Sequence, residues 1–233
     1  MTIRWPESYR IILSRYPSVG IFDDVADPAD LPALAALEAR TNPRVRDELG
    51  MLALVRPADR IAGPGTTPIM AAFTHAQPSR FTDGAFGVYY AARHRETAIF
   101  EVRFHLERLY RATQEESADV DLRVYAARIG GRFDDLRAAP PDDARLDPDG
   151  YAASQAYGRG LYEANAADGV VYRSVRDAKQ RACVAAFRPR AISACRTHGY
   201  LTARWDGAQQ RIVAVTEREF LSGFGPAPDA AGP

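Results

Sequence analysis

Residues 79–105 read SRFTDGAFGVYYAARHRETAIFEVRFH, and this stretch decides the fold class. FTDG at 81–84 carries turn chemistry, an aspartate followed by a conformationally free glycine. AFGVYYAA at 85–92 is then an apolar, aromatic run of the kind a buried strand presents. From Glu96 the period changes. Ile99, Val102, Leu106 and Leu109 share one face of a helix. A turn, a strand and a helix therefore follow one another, with no glycine-rich phosphate loop opening the helix.

Working outward, YRIILSRYP at 9–17 begins as a strand and breaks at Pro17. DPADLPALAALEARTNPR at 27–44 has helix-start chemistry at Asp30. That helix stops near residue 41, because Asn42 precedes a proline and is disfavoured in the helical region. GPGTTP at 63–68 reads as a loop, and IMAAFTH at 69–75 as a strand. VDLRVYAARI at 120–129 alternates as a strand, and AAPPDDARLDPDG at 138–150 is a polar, proline-rich loop. YAASQAYGRGLYEANA at 151–166 reads as a helix. GVVYRSV, RACVAAF, YLTARW and RIVAVTE are further strands, the last two joined by a DGAQQ hairpin turn. The tail at 226–233 lacks apolar content and is expected to be disordered. Without a βαβ rhythm, GxGxxG or P-loop, the expectation is one α+β domain over residues 1–225, its strands largely antiparallel.

Composition narrows the class. The 233 residues carry zero formal net charge, against a general nucleic-acid or membrane-surface binder, which needs positive excess. Nearly all the basic residues are arginine; Lys179 is the one lysine. A GC-rich genome explains that bias, although the guanidinium fork also suits a phosphate-bearing ligand. Cys183 and Cys195 lack zinc-site spacing and read as buried free thiols, so no metal is expected. No stretch is long and apolar enough to span a bilayer, and the N-terminus lacks a signal-peptide run. A cytoplasmic location follows as an expectation.

Several polar residues fit poorly into a plain scaffold. Arg80 follows a proline-serine turn; it is a solvated loop residue or a clamp on a ligand phosphate. Alternation sends Tyr89 and Tyr90 to opposite faces, so at most one enters a given pocket. Tyr90 is a core tyrosine or a ring that stacks on a flat heterocycle. Glu101 interrupts the apolar run TAIFEVRF and shares a helical stripe with His105 and Arg108. It is a solvent-facing member of a charge stripe or a partly buried carboxylate aimed at a cleft. Ser174 ends a strand without a GxSxG elbow, so a hydrogen-bond donor or turn residue fits better than a nucleophile. His75 caps its element or contacts a ligand.

Five segments in register, SRFTDGAFGVYYAA, TAIFEVRFH, ASQAYGRGL, ADGVVYRSVR and VAAFRP, make the chain resemble the longer branch of the RES family. YRIILSRYP is similar to that family's opening arginine-bearing strand, so the likeness spans roughly residues 9–190. Two departures stand out: an insertion at about 18–68, and Arg173 where proline is expected. The resemblance implies a fold similar to ADP-ribosyltransferase toxins and the toxin half of a RES–Xre type II toxin–antitoxin pair. NAD is then the substrate, split at its nicotinamide glycosidic bond. Glu101, Arg80, Tyr90 and Ser174 are the implied catalytic positions. Arg80, Tyr90, Ser174, His75, Arg10 and Arg176 are the implied NAD-binding set, with the main phosphate ligand being Arg10 or Arg80. The implied partners are a helix-turn-helix (Xre-type) antitoxin and a protein that accepts ADP-ribose, with no direct nucleic-acid contact. NAD hydrolysis, NAD phosphorolysis and a non-catalytic nucleotide-binding module remain alternatives.

Overall fold

Strand pairing sets the frame. The computed structural model describes residues 1–14, 22–23, 27–33 and 51–218. Their elements run β1 (Thr2–Leu13), α1 (Thr67–Thr74), β2 (Tyr89–Ala92), α2 (Arg95–Thr113), β3 (Ala118–Asp135), α3 (Ala152–Glu163), β4 (Gly169–Arg173), β5 (Ala182–Ala186), β6 (Ile192–Asp206) and β7 (Arg211–Glu217). The seven-stranded sheet has the order β1-β2-β5-β4-β3-β6-β7, and β1 pairs with β3 as well. Every pairing is antiparallel except the short one between β3 and β4. The fold is α+β, as the sequence implied.

β1 follows β3 from Leu13↔Leu122 to Thr2↔Arg132, and touches β2 only at Tyr9↔Ala92. Beside that single pairing lies the cavity described below. β2 is shorter than its apolar run suggested. Only YYAA joins the ladder, while Phe86 and Val88 are buried without strand pairing. Gly87 explains part of this, since a Cβ there would sit 2.2 Å from the Phe73 Cα. The chain passes hard against α1.

α1 corrects the reading of IMAAFTH as a strand. A short apolar run does not separate the two periods. Pro68 occupies the first turn, where its missing N–H costs nothing. Ile69, Met70 and Phe73 then bury one helical face. The helix expected over 30–41 is preceded by a 3₁₀ turn, Pro28–Asp30, capped by the Asp27 carboxylate; from residue 34 to 50 it lies outside the described residues. So does the tail at 226–233. The predicted helices in the two other segments are present as α2 and α3, and the hairpin turn joins β6 to β7.

Three apolar clusters fill the interior. One gathers Tyr89, Phe133, Val171 and Val184 with Ile69, Met70 and Phe73 of α1. A second joins Phe81, Ala92, Tyr172 and Ala185, with Tyr90 and Tyr157 packed against it. A third sets Leu106 of α2 against Leu122, Leu201 and Trp205. Tyr89 and Tyr90 thus fall in different clusters, on the two faces that alternation assigns them. Cys183 and Cys195 are buried free thiols.

Candidate active site

Tyr90, on the face of β2 away from Tyr89, lines a cavity of about 230 Å³. Glu101 and His105 reach it from α2, Ser79 and Arg80 from the turn before β2, Tyr151 from the start of α3, and Arg176 from the β4–β5 hairpin. The floor is apolar, with Ala91, Ala92, Ala98 and Val102. Few polar groups on an apolar floor is the usual make-up of a small-molecule site.

The turn carrying Arg80 is held by an internal bridge, Ser79 N–H donating to the Thr82 carbonyl at 2.8 Å. The Tyr90 hydroxyl pins it from below. It lies 3.0 Å from the Ser79 hydroxyl and accepts from the Phe81 N–H at 3.0 Å. Burial pushes that phenol up to about 12, so it stays protonated. Arg80 is 8% exposed, which settles its environment: it is not a solvated loop residue. Its guanidinium donates to the Asp147 carbonyl at 2.7 Å and lies over the Tyr151 ring, 4.8 Å from the centroid.

Glu101 is partly buried, one face of α2 turning it toward the cavity. Ser174 Oγ, 1% exposed, donates to Glu101 Oε1 at 2.5 Å. The same Oγ accepts from the N–H groups of Arg176 and Asp177. A hydroxyl so occupied is a fixed donor and not a free nucleophile. Desolvation raises the Glu101 pKa above its ordinary value, and the Ser174 bond with the charges of Arg80 and Arg176 offsets this only in part. The charged form of the carboxylate is therefore held at some cost, a state common at functional sites.

Arg176 donates to the Pro148 carbonyl, and its guanidinium lies over the Phe104 ring. Arg80 and Arg176 thus both rest on carbonyls of one short loop, at Asp147 and Pro148. His105 stands at the rim; desolvation and then the charge of Arg176 hold its pKa below the ordinary value.

Arg10 borders the cavity through its strand, but its guanidinium goes elsewhere. It lies 4.9 Å from the Tyr89 centroid and donates to the Tyr90 carbonyl at 3.2 Å. Tyr89 belongs to the cluster on the opposite face. His75 is absent from the cavity lining; it is exposed at the C-terminal cap of α1, its Nδ1 3.1 Å from the Thr74 hydroxyl. Sequence reading missed Tyr151 and Ser79. Tyr151 follows a polar loop, and nothing local to it signals an aromatic seat for an arginine 71 positions earlier. Among the described residues no cluster of histidine, cysteine and carboxylate side chains could hold a metal ion, and no helix is long and apolar enough to cross a membrane.

The RES domain model matches residues 57–206, more than half of the chain. The protein belongs to the RES domain family, which is generally associated with NAD-related toxins of toxin–antitoxin systems. The match takes in Arg80, Tyr90, Glu101, Ser174 and Arg176 and leaves β1 outside. A Sinorhizobium fredii (strain NBRC 101917 / NGR234) protein, named Uncharacterized protein y4oC, is similar: 28% identical over 168 residues, which cover 71% of this chain and 69% of the relative.

Proposed function

We propose that the protein is a toxin that cleaves NAD at the nicotinamide glycosidic bond and transfers ADP-ribose to a cellular protein. The observation that carries this is Glu101, partly buried, aimed into an apolar cavity by Ser174 and flanked by Arg80 and Arg176. Cleavage breaks the bond between C1′ of the ribose and the ring nitrogen. The electron pair moves onto nicotinamide and neutralises its pyridinium, leaving oxocarbenium character on the ribose. A fixed carboxylate facing that charge stabilises the transition state more than the ground state. The acceptor then bonds to C1′ and loses its proton to solvent.

A cavity of about 230 Å³ is smaller than the roughly 300–1,000 Å³ that holds a drug-sized ligand. It fits the nicotinamide–ribose end, with the pyrophosphate at the mouth near Arg80 and Arg176. Phosphate oxygens replacing the Asp147 and Pro148 carbonyls put charge on both sides of each bond and allow the guanidinium fork a bidentate grip. The turn of the Arg10 guanidinium away from the cavity, onto Tyr89 on the other face of the sheet, favours Arg80 as the phosphate ligand. Tyr90 offers its ring to nicotinamide while its hydroxyl holds the Arg80 turn.

The test is nicotinamide release by purified protein. Glu101→Gln keeps shape and removes charge, and is expected to cost roughly 100- to 1000-fold in rate; unchanged turnover refutes the assignment. Labelled NAD in cell lysate separates acceptors. One discrete labelled band that Glu101→Gln abolishes supports transfer to a protein. Free ADP-ribose or its phosphate as sole product makes the protein an NAD hydrolase or phosphorylase. Unrestrained NAD consumption harms the host, so we assign control to a helix-turn-helix antitoxin. Co-expression checks this: tolerance of active toxin alone, with no neighbour-encoded protein binding it, overturns the pairing.

A further inference from the structure

We propose that Asp177 is a positioning residue: from the β4–β5 hairpin it clamps α2 in the register that aims Glu101 into the cavity. The inference rests on the reading of Glu101 as the catalytic carboxylate. Asp177 does not line the cavity and is 3% exposed. Its Oδ2 accepts from the Thr97 hydroxyl at 2.8 Å and from Arg181 Nε at 2.6 Å. Its Oδ1 accepts from the Lys179 N–H at 2.9 Å. Its own N–H donates to Ser174 Oγ at 3.0 Å.

Thr97 and Glu101 are four residues apart on α2, so they stand on one face about 6 Å apart along the axis. Asp177 holds the first and Ser174 holds the second, and the two holders are themselves joined. One hairpin therefore grips the helix at two points a turn apart. Leu106 and Glu107 tie the later turns of α2 to the sheet and β7; the two points on the hairpin set the rotation and axial position of its first turns, where Ser174 alone supplies one. The carboxylate suits this task. Burial pushes it up, but Arg181, the Lys179 amide and Thr97 outweigh that and hold it at about 2, so the clamp stays charged across the physiological range.

The test uses full-length Asp177→Asn, Thr97→Val, Thr97→Ser and Ser174→Ala, with two readouts. The first is kcat and KM for NAD. The second is the titration of the Glu101 carboxyl carbon by NMR, which needs no turnover. Arg80, Arg176, Asp177, Tyr172 and Cys183 face Glu101 from other elements, and His105 from its own. The sign is informative. Removing the Asp177 charge alone lowers the Glu101 pKa, while loosening the Ser174 bond raises it. The expected result for Asp177→Asn and Thr97→Val is a raised Glu101 titration, in the direction of Ser174→Ala. Their kcat falls roughly 10- to 100-fold, as for a misplacement near 1 Å, with KM within about twofold. Thr97→Ser keeps the hydroxyl and stays near wild type. A Glu101 titration that is unmoved in both variants, or lowered in Asp177→Asn, overturns the proposal, as does wild-type kcat in both. If Asp177→Asn does not fold, Thr97→Val decides alone. Wild-type protein without NAD turnover refutes the proposed function, and the titration still decides the clamp.

Discussion

Gly158→Ala tests how closely α3 must approach the arginine-bearing turn. In an exposed helix interior this change stabilises, because glycine costs about 1 kcal/mol relative to alanine. Gly158 is not in that position. A Cβ there would lie 2.1 Å from the Phe81 carbonyl oxygen, 3.0 Å from its carbon and 3.1 Å from the Phe81 Cβ. Real side chains do not come that close to backbone, so α3 or residues 80–81 must retreat by roughly 1 Å. Overpacking of this kind costs typically 1–3 kcal/mol, and the obstacle is backbone, which has no rotamer to yield. A backbone obstacle puts the cost in the upper part of that range, about 2–3 kcal/mol, and the propensity gain of about 1 kcal/mol leaves a net loss of about 1–2 kcal/mol. At 2–4 °C per kcal/mol for a chain of this size, the melting temperature falls roughly 2–8 °C. Because Phe81 follows Arg80, KM for NAD is expected to rise as well. Gly160 is the internal control. It lies two residues on in the same helix and has nothing within 4 Å of its added Cβ. Gly160→Ala is expected to raise the melting temperature by a few degrees. Calorimetry on both variants decides, and a Gly158→Ala protein as stable as wild type refutes the close-approach argument.

The pH–rate profile is the second expectation. On the proposed mechanism Glu101 acts ionised, and its pKa is raised by desolvation, so activity is expected to be full above that value and lost as pH falls through it. The acid limb then lies above the ordinary glutamate value of 4.5, and Ser174→Ala, losing a bond that lowers the pKa, moves it further up; a limb below 4.5 contradicts this. For stability, Asp59→Ala takes the carboxylate from Arg188, which is 1% exposed, donates to Asp59 Oδ2 at 3.1 Å and keeps only neutral acceptors at Tyr162 and Asn165 among the described residues. Breaking a buried pair from one side costs about 3–5 kcal/mol, measurable by urea unfolding, and Asp59→Leu with Arg188→Met is expected to recover most of it. Arg80→Lys keeps the charge but loses the fork and the seat on Tyr151. KM for NAD is expected to rise roughly tenfold or more, and an unchanged KM removes Arg80 as phosphate ligand.

Local signals reached as far as local physics does. The turn at 81–84, the long period of α2 and the alternation of β3 all come from residues within one element, and each was legible. α1 was not, because a seven-residue apolar run carries no period, and its helical state depends on Pro68 and on the face it buries. Glu101 announced itself as a charge inside an apolar run. Its partner did not. Ser174 lies 73 positions away, and only the pairing of β4 with β5 places it under α2. His75 was open between a cap and a ligand contact, and it caps α1: ending an apolar segment says nothing about which side of the sheet that segment covers.

The arginine bias reads differently once the side chains are placed. Composition alone explains why Lys179 is the one lysine, but not where the arginines go. Arg80 lies over Tyr151, Arg10 over Tyr89, Arg188 over Tyr162 at 4.2 Å and Arg145 over Tyr157 at 4.8 Å. Each is a flat cation on a flat ring, an arrangement the compact, strongly hydrated ammonium of lysine reproduces poorly. Three of the four also donate to backbone carbonyls: Arg80 to Asp147, Arg10 to Tyr90 and Arg188 to Tyr162. Arg80 and Arg10 thus rest on carbonyls and rings, whereas Arg188 and Arg145 also pair with the carboxylates of Asp59 and Asp143. The Arg80 guanidinium at the cavity is oriented by a neutral carbonyl and a ring, and exchanging that carbonyl for an incoming anion adds the attraction of opposite charges.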